Sequence, residues 1–230
     1  MPYHLDFSAL DLGYIERRLA NEDLIPSLEP LREGLPDKLR KLEKAGMGSI
    51  EALEAALAKA KGLAALAEAS GIDAEWLKRM GRMLRGWRTE PCKLKEYPFV
   101  SKAAVGGTAE IMGALAGRGI ADSKALWEAA RAKNARAALA REAGIDPGFL
   151  LELCRLSDLS RVQWVSPLFA RLLLDAGYGS VARVAAARPE ELYAGVDAAN
   201  AARGRLYKGR VGLRDMGRLV YLAGLLPFEL

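Results

Sequence analysis

Apolar residues recur along this chain at helical spacing, with charged residues on the opposite side. Leu39 and Leu42, then Ile50, Leu53 and Leu57, lie three or four positions apart among Lys and Glu. Gly46, Gly119 and Gly177 each close such a stretch and suit a left-handed helix cap. Ser49 can restart a helix at Ile50. Asp73 and Asp146 each follow Gly-Ile and are natural N-caps, with Pro147 in a first turn. No stretch alternates as a run of strands does, and only Tyr3–Phe7 could form a short extended arm. The pattern predicts an all-α protein of about 12 short helices, at the usual length of about 11 residues.

The pattern also repeats. The step from Gly46 to Gly119 equals the step between the Gly-Ile-Asp triplets at 71–73 and 144–146. At the same step Leu39 meets Met112, Leu42 meets Leu115, Leu66 meets Leu139 and Trp76 meets Phe149. A third, partial copy follows by a shorter step, from Gly119 to Gly177, and there Pro167 stands to Gly177 as Pro36 stands to Gly46. Repetition at fixed spacing means one supersecondary unit used several times. The expected organisation is an N-terminal arm and helix (1–24), a first repeat (25–95), a second (96–158), and a third, partial repeat with a basic extension (159–230).

The turn before each first helix carries a further signal. In the third copy it reads Val165-Ser166-Pro167, followed by Ala170, Leu173 and Ala176-Gly177. This resembles a helix-hairpin-helix unit, apolar-Gly-apolar-Gly-Pro followed by a helix. Over most of its length the chain resembles an uncharacterised bacterial family of tandem helix-hairpin-helix-like domains, a domain of unknown function, most strongly over residues 139–230. The resemblance implies tandem helix-hairpin-helix-like repeats and contact with nucleic-acid backbones. The two hairpin glycines of such units let the backbone approach a phosphate. Here the first glycine position holds Glu33, Gly106 and Trp164, and the second Leu35, Thr108 and Ser166, so no copy keeps both. Ser166-Pro167 also reads as an N-cap with proline at N1, Thr108-Ala109 as a weaker version of it, and Trp164 as a core plug between the hairpin helices.

Composition narrows the chemistry. The 230 residues include one His, His4, and two Cys, Cys92 and Cys154. That excludes Cys/His zinc cages, Ser-His-Asp triads and a disulfide framework. No phosphate-loop or dinucleotide motif is present, and adjacent acids such as Glu190-Glu191 diverge on a helix. The expectation is a non-enzymatic protein without cofactor or metal. Acids spread from Asp6 to Asp23 leave no signal-peptide run, and the longest apolar stretch, Leu219–Phe228, is too short to span a bilayer. Unpaired cysteines without an export signal suggest a reducing, cytoplasmic setting.

The net charge of +5 is clustered. Residues 1–74 carry net −4, whereas residues 75–102 and 200–218 each carry +5. Lys78, Arg82 and Arg85 share a helix face, and glycines interleave the second cluster. Basic groups of this kind grip phosphates without reading sequence. The candidate nucleic-acid contacts are Ser166, Arg171, Arg203, Arg205, Lys208, Arg210 and Arg214, with Gly106, Gly107 and Thr108 in the second copy. The leading expectation is non-specific binding of nucleic acid, DNA ahead of RNA. The alternative is a protein-interaction or scaffold module whose hairpins have lost phosphate binding.

Overall fold

The computed structural model of the chain describes residues 3–98 and 108–228. Thirteen α-helices occur among them: α1 (Leu12–Asn21), α2 (Leu35–Lys44), α3 (Ile50–Leu57), α4 (Ala60–Ser70), α5 (Ala74–Trp87), α6 (Thr108–Ala116), α7 (Ser123–Ala130), α8 (Lys133–Ala143), α9 (Pro147–Leu159), α10 (Pro167–Asp175), α11 (Val181–Ala185), α12 (Pro189–Ala202) and α13 (Leu213–Gly224). No strand forms among the described residues. One isolated antiparallel bridge joins Lys93 and Asp122, and Tyr3–Phe7 is neither helix nor strand. The chain is all-α. None of the described helices is long and apolar enough to cross a membrane.

The helices keep the spacing seen in the sequence. Moved by the step from Gly46 to Gly119, the starts of α2 to α5 fall on those of α6 to α9. Moved on by the step from Gly119 to Gly177, α7 and α11 share a start. Packing repeats as well. In the first two sets the second helix packs on the third and fourth, the third on the fourth, and the first on the third. In the third set α11 and α12 pack on α13, and α10 on α12. α13 departs from the register, beginning at Leu213 where the spacing of the earlier sets would place Arg205.

Local chemistry explains the helix ends. Asp73 and Asp146 accept the N–H of Trp76 and Phe149, both at 2.8 Å, and Ser49 accepts that of Ala52 at 3.2 Å. Each satisfies an orphan donor of the first turn. Gly46, Gly119 and Gly177 have φ of +89°, +78° and +91°, the conformation that a glycine cap permits. In the second copy Thr108 is already helical, so it is not the cap expected there. Gly106 and Gly107 lie outside the described residues.

The chain forms two compact units, one built on His4–Arg88, the other on Thr89–Leu230 together with Tyr3. In the first, Leu39, Leu42, Ile50, Leu53 and Leu57 join Trp76, Leu77 and Trp87 in one core. The buried Arg18 stacks over Trp87 at 3.9 Å and pairs with Glu22 at 2.7 Å. The second unit is organised around Arg161, 1% exposed. Its guanidinium donates to Asp158 at 2.6 Å, to the Tyr3 carbonyl at 3.1 Å and to the Pro227 carbonyl at 2.9 Å, and lies 4.6 Å from the Trp127 ring centre. The other carboxylate oxygen of Asp158 accepts the Val181 N–H at 2.8 Å. Burying two ions is costly, and removing one partner leaves the other uncompensated. Arg161→Ala should therefore lose about 3–5 kcal/mol of stability. Arg188→Ala, which breaks an exposed 3.4 Å pair with Glu191, should lose at most about 1 kcal/mol. Urea unfolding of both variants checks the contrast.

Candidate nucleic-acid interface

The site is built on the connection between α12 and α13. Residues 203–212 link these helices, and Asn200 holds the link. Its side-chain N–H donates to the Tyr207 carbonyl and its side-chain oxygen accepts the Tyr207 N–H, both at 2.9 Å. The Tyr207 ring meets Phe169 of α10 edge-on at 5.3 Å. Gly209 passes so close that an added Cβ would lie 2.5 Å from that ring, so any larger residue would have to push the ring aside. At the far end Asp215 accepts the Gly212 N–H at 2.8 Å and starts α13. The result is a cleft of about 650 Å³ between α10, α12 and the link, floored by Phe169, Leu172 and Val196.

Lys208 and Arg210 line this cleft, are exposed, and make no ion pair among the described residues. Arg205, also in the lining, has left-handed backbone (φ +58°) and an exposed 3.4 Å contact with Asp197. The structure thus brings Arg205, Lys208 and Arg210 together. Arg214 is exposed in the first turn of α13 and does not line the cleft.

Two expected contacts are occupied elsewhere. Arg171 is 6% exposed and pairs with Glu152 at 2.5 Å and with Asp175. Asp175 also pairs with Arg203. These arginines neutralise carboxylates within the fold. Ser166 is the N-cap of α10, accepting the Phe169 N–H at 3.3 Å. Trp164 overturns the expectation of a core plug: it is 58% exposed, with left-handed backbone at φ +72°. It borders a smaller groove of about 190 Å³ that shares Phe169, Tyr207 and Arg210 with the larger cleft.

A second basic cleft, of about 540 Å³, was not anticipated. Arg136, Arg155 and Arg183 line it beside Gly177, Gly179 and Ser180, and no carboxylate is among its lining residues. Gly179 leaves room for Arg155, whose Cδ would lie 3.5 Å from a Cβ built there. The signal was present as Gly177-Tyr178-Gly179-Ser180, two glycines in the turn after α10 rather than before it.

Residues 105–224 match the family profile described as Domain of unknown function (DUF4332). The chain belongs to this family. The matched region runs from just before α6 to the end of α13 and so holds the second and third four-helix sets and both clefts. No curated protein and no solved structure matches the chain.

The two thiols are held away from their reactive form. Cys154 is buried, and burial pushes its thiol up to about 12. Cys92 is only half-buried, and burial raises its thiol as well. Neither belongs to a metal-holding group: no three His, Cys, Asp or Glu are so placed among the described residues. Since the thiolate is the reactive form and access is required, a maleimide should modify Cys92 in the native protein and Cys154 only after unfolding. Mass spectrometry of labelled peptides tests this, and first labelling at Cys154 would contradict the packing of α9. Ser166→Ala should cost about 1 kcal/mol through the lost cap, measurable by thermal melting.

Proposed function

We propose that the third four-helix set binds nucleic acid, DNA ahead of RNA, through its backbone phosphates and without sequence preference. One observation carries the reading. Lys208 and Arg210 stand at the mouth of a cleft with no ion pair among the described residues, while Arg171 and Arg203 are committed to carboxylates. Cations left unpaired beside a concave surface release counterions when they meet phosphates. The cleft of Arg136, Arg155 and Arg183, lined by no acid, adds support of the same sign. We read α9, the turn at 160–166 and α10 as a helix-hairpin-helix-like element. α9 packs on α10, and Trp164 takes left-handed backbone at the position where that pattern has its first glycine. The protein acts by binding, without catalysis.

A protein-interaction surface is the second reading, favoured by the exposure of Tyr193 (39%) and Leu213 (47%) near the same cleft. Salt dependence separates the two. For duplex DNA the log–log slope of affinity against salt is about −0.9 per phosphate contacted. Lys208→Gln with Arg210→Gln should weaken binding to all sequences alike and flatten the slope by about two. Failure of the unmodified protein to bind duplex or single strand at low salt, or binding unchanged in the double variant, would reject the phosphate reading.

A further inference from the structure

Three of the four tryptophans are buried: Trp76, Trp87 and Trp127 are 5%, 4% and 1% exposed, against 58% for Trp164. Trp164 is also one of only two non-glycine residues with positive φ among the described residues. A bulky L residue rarely occupies left-handed backbone. Its neighbours hold it there. Val165 donates its N–H to the Val162 carbonyl at 3.1 Å and is itself buried, Ser166 caps α10, and Arg161 is pinned in the interior three residues before. The turn thus directs a large aromatic ring outward at the cost of an unfavourable backbone. Glycine would take the same backbone without strain.

The ring faces no ordinary surface. It borders the 190 Å³ groove whose other walls include Phe169, Tyr207 and Met216, with Arg210 at its polar edge. Arg210 also lines the larger cleft that holds Lys208. Asp215, the acid in both linings, is engaged by the Gly212 N–H at 2.8 Å and by Arg218 at 3.5 Å. An exposed aromatic and two cations therefore follow one another along one continuous surface.

We propose that Trp164 is a stacking platform for an unpaired base, with Arg210 and Lys208 on phosphates of the same strand, so that this site takes single-stranded nucleic acid in preference to duplex. The inference rests on the phosphate reading above and adds the strand state of the ligand. In a duplex both faces of each base are covered by its neighbours. Only an unstacked base offers its π-face to an indole, and every base does so, which leaves the site without sequence preference. The adjacent cations complement the charged strand, and the apolar groove accepts the base.

Because the other tryptophans are buried, Trp164 dominates any fluorescence change at the surface. The experiment titrates the full-length protein with single-stranded oligothymidine of about 15 nucleotides, within the usual range of single-strand sites, and with a duplex of the same length at low salt. Single strand should quench emission and bind more tightly, and duplex should leave emission nearly unchanged. Trp164→Gly removes the ring while relieving the backbone, so its melting temperature should hold or rise. Its affinity for single strand should fall between about five-fold and a hundred-fold, and its affinity for duplex should not change. Trp164→Phe should retain part of the preference. Single-strand binding that is salt-sensitive but unchanged in Trp164→Gly, or equal losses for single strand and duplex, overturns the stacking inference and leaves the phosphate reading standing. If neither nucleic acid binds at low salt, the phosphate reading falls and this inference falls with it.

Discussion

The buried pair of Arg161 and Asp158 is the constraint on which the second unit depends. Two ions removed from water are tolerated only when every remaining donor and acceptor is engaged. Here the guanidinium is shared among the Asp158 carboxylate and the carbonyls of Tyr3 and Pro227, and lies against the Trp127 ring. Burial raises the Asp158 carboxyl above its ordinary value, opposed by the Val181 N–H and by Arg161. One pair thus joins the end of α9, the start of α11, Tyr3 and the segment after α13. It also sets the surface. Arg161 lies in the turn between α9 and α10, so fixing its side chain inside fixes where the following residues emerge. Trp164 is exposed between the buried Arg161, Val162 and Val165.

Charge composition alone misjudges this protein, because its arginines do two kinds of work. Arg171 bridges Glu152, 19 residues before it, and Asp175, one turn after it; Asp175 in turn holds Arg203 across 28 residues. That chain of ions ties α9 and α10 to the first residue of the link after α12 and engages two of the clustered cations within the fold. What remains available is set by neighbours in space. Lys208 and Arg210 lie on a link whose cleft holds only acids that are already engaged, Asp197 with Arg205 and Asp215 with Gly212 and Arg218. A patch of net charge +5 in sequence is therefore a few cations in a defined place.

Elements determined by adjacent residues were legible without coordinates. The Asp and Ser caps act three residues ahead, the glycine caps act on their own backbone, and the apolar spacing reports one helix face. Hence the all-α class and the fixed step between glycine breaks could be read directly, whereas the grouping into four-helix sets came from the structure. Features fixed across long separations could not. The partner of Arg171 is set by tertiary packing, and so is the absence of acids around Arg136, Arg155 and Arg183. Trp164 misled for a related reason. A tryptophan between apolar residues ordinarily faces a core, and only the left-handed backbone at that position turns it to solvent.

The third set departs from its copies in one link, and the cleft beside α12 follows from it. In the first two sets the third and fourth helices are joined by three residues, Gly-Ile-Asp, whose glycine ends one helix and whose aspartate starts the next. So short a link keeps the two helices in contact. In the third set the link runs from 203 to 212, delaying α13. A link of that length carries backbone donors and acceptors that helix packing cannot satisfy, so they need a partner of their own. Asn200 supplies it, standing at an equivalent position to Ala69 and Glu142 in the other sets and bonding both backbone groups of Tyr207. Once clasped, the link lies against Phe169 of α10, and the space it encloses with α10 and α12 is the cleft. Lys208, Gly209 and Arg210 sit on that link, apart from the carboxylates that hold Arg171 and Arg203. A longer link and one asparagine thus convert a structural repeat into a surface with unpaired positive charge, while α10 still packs on α12 and α11 on α13 as their copies do.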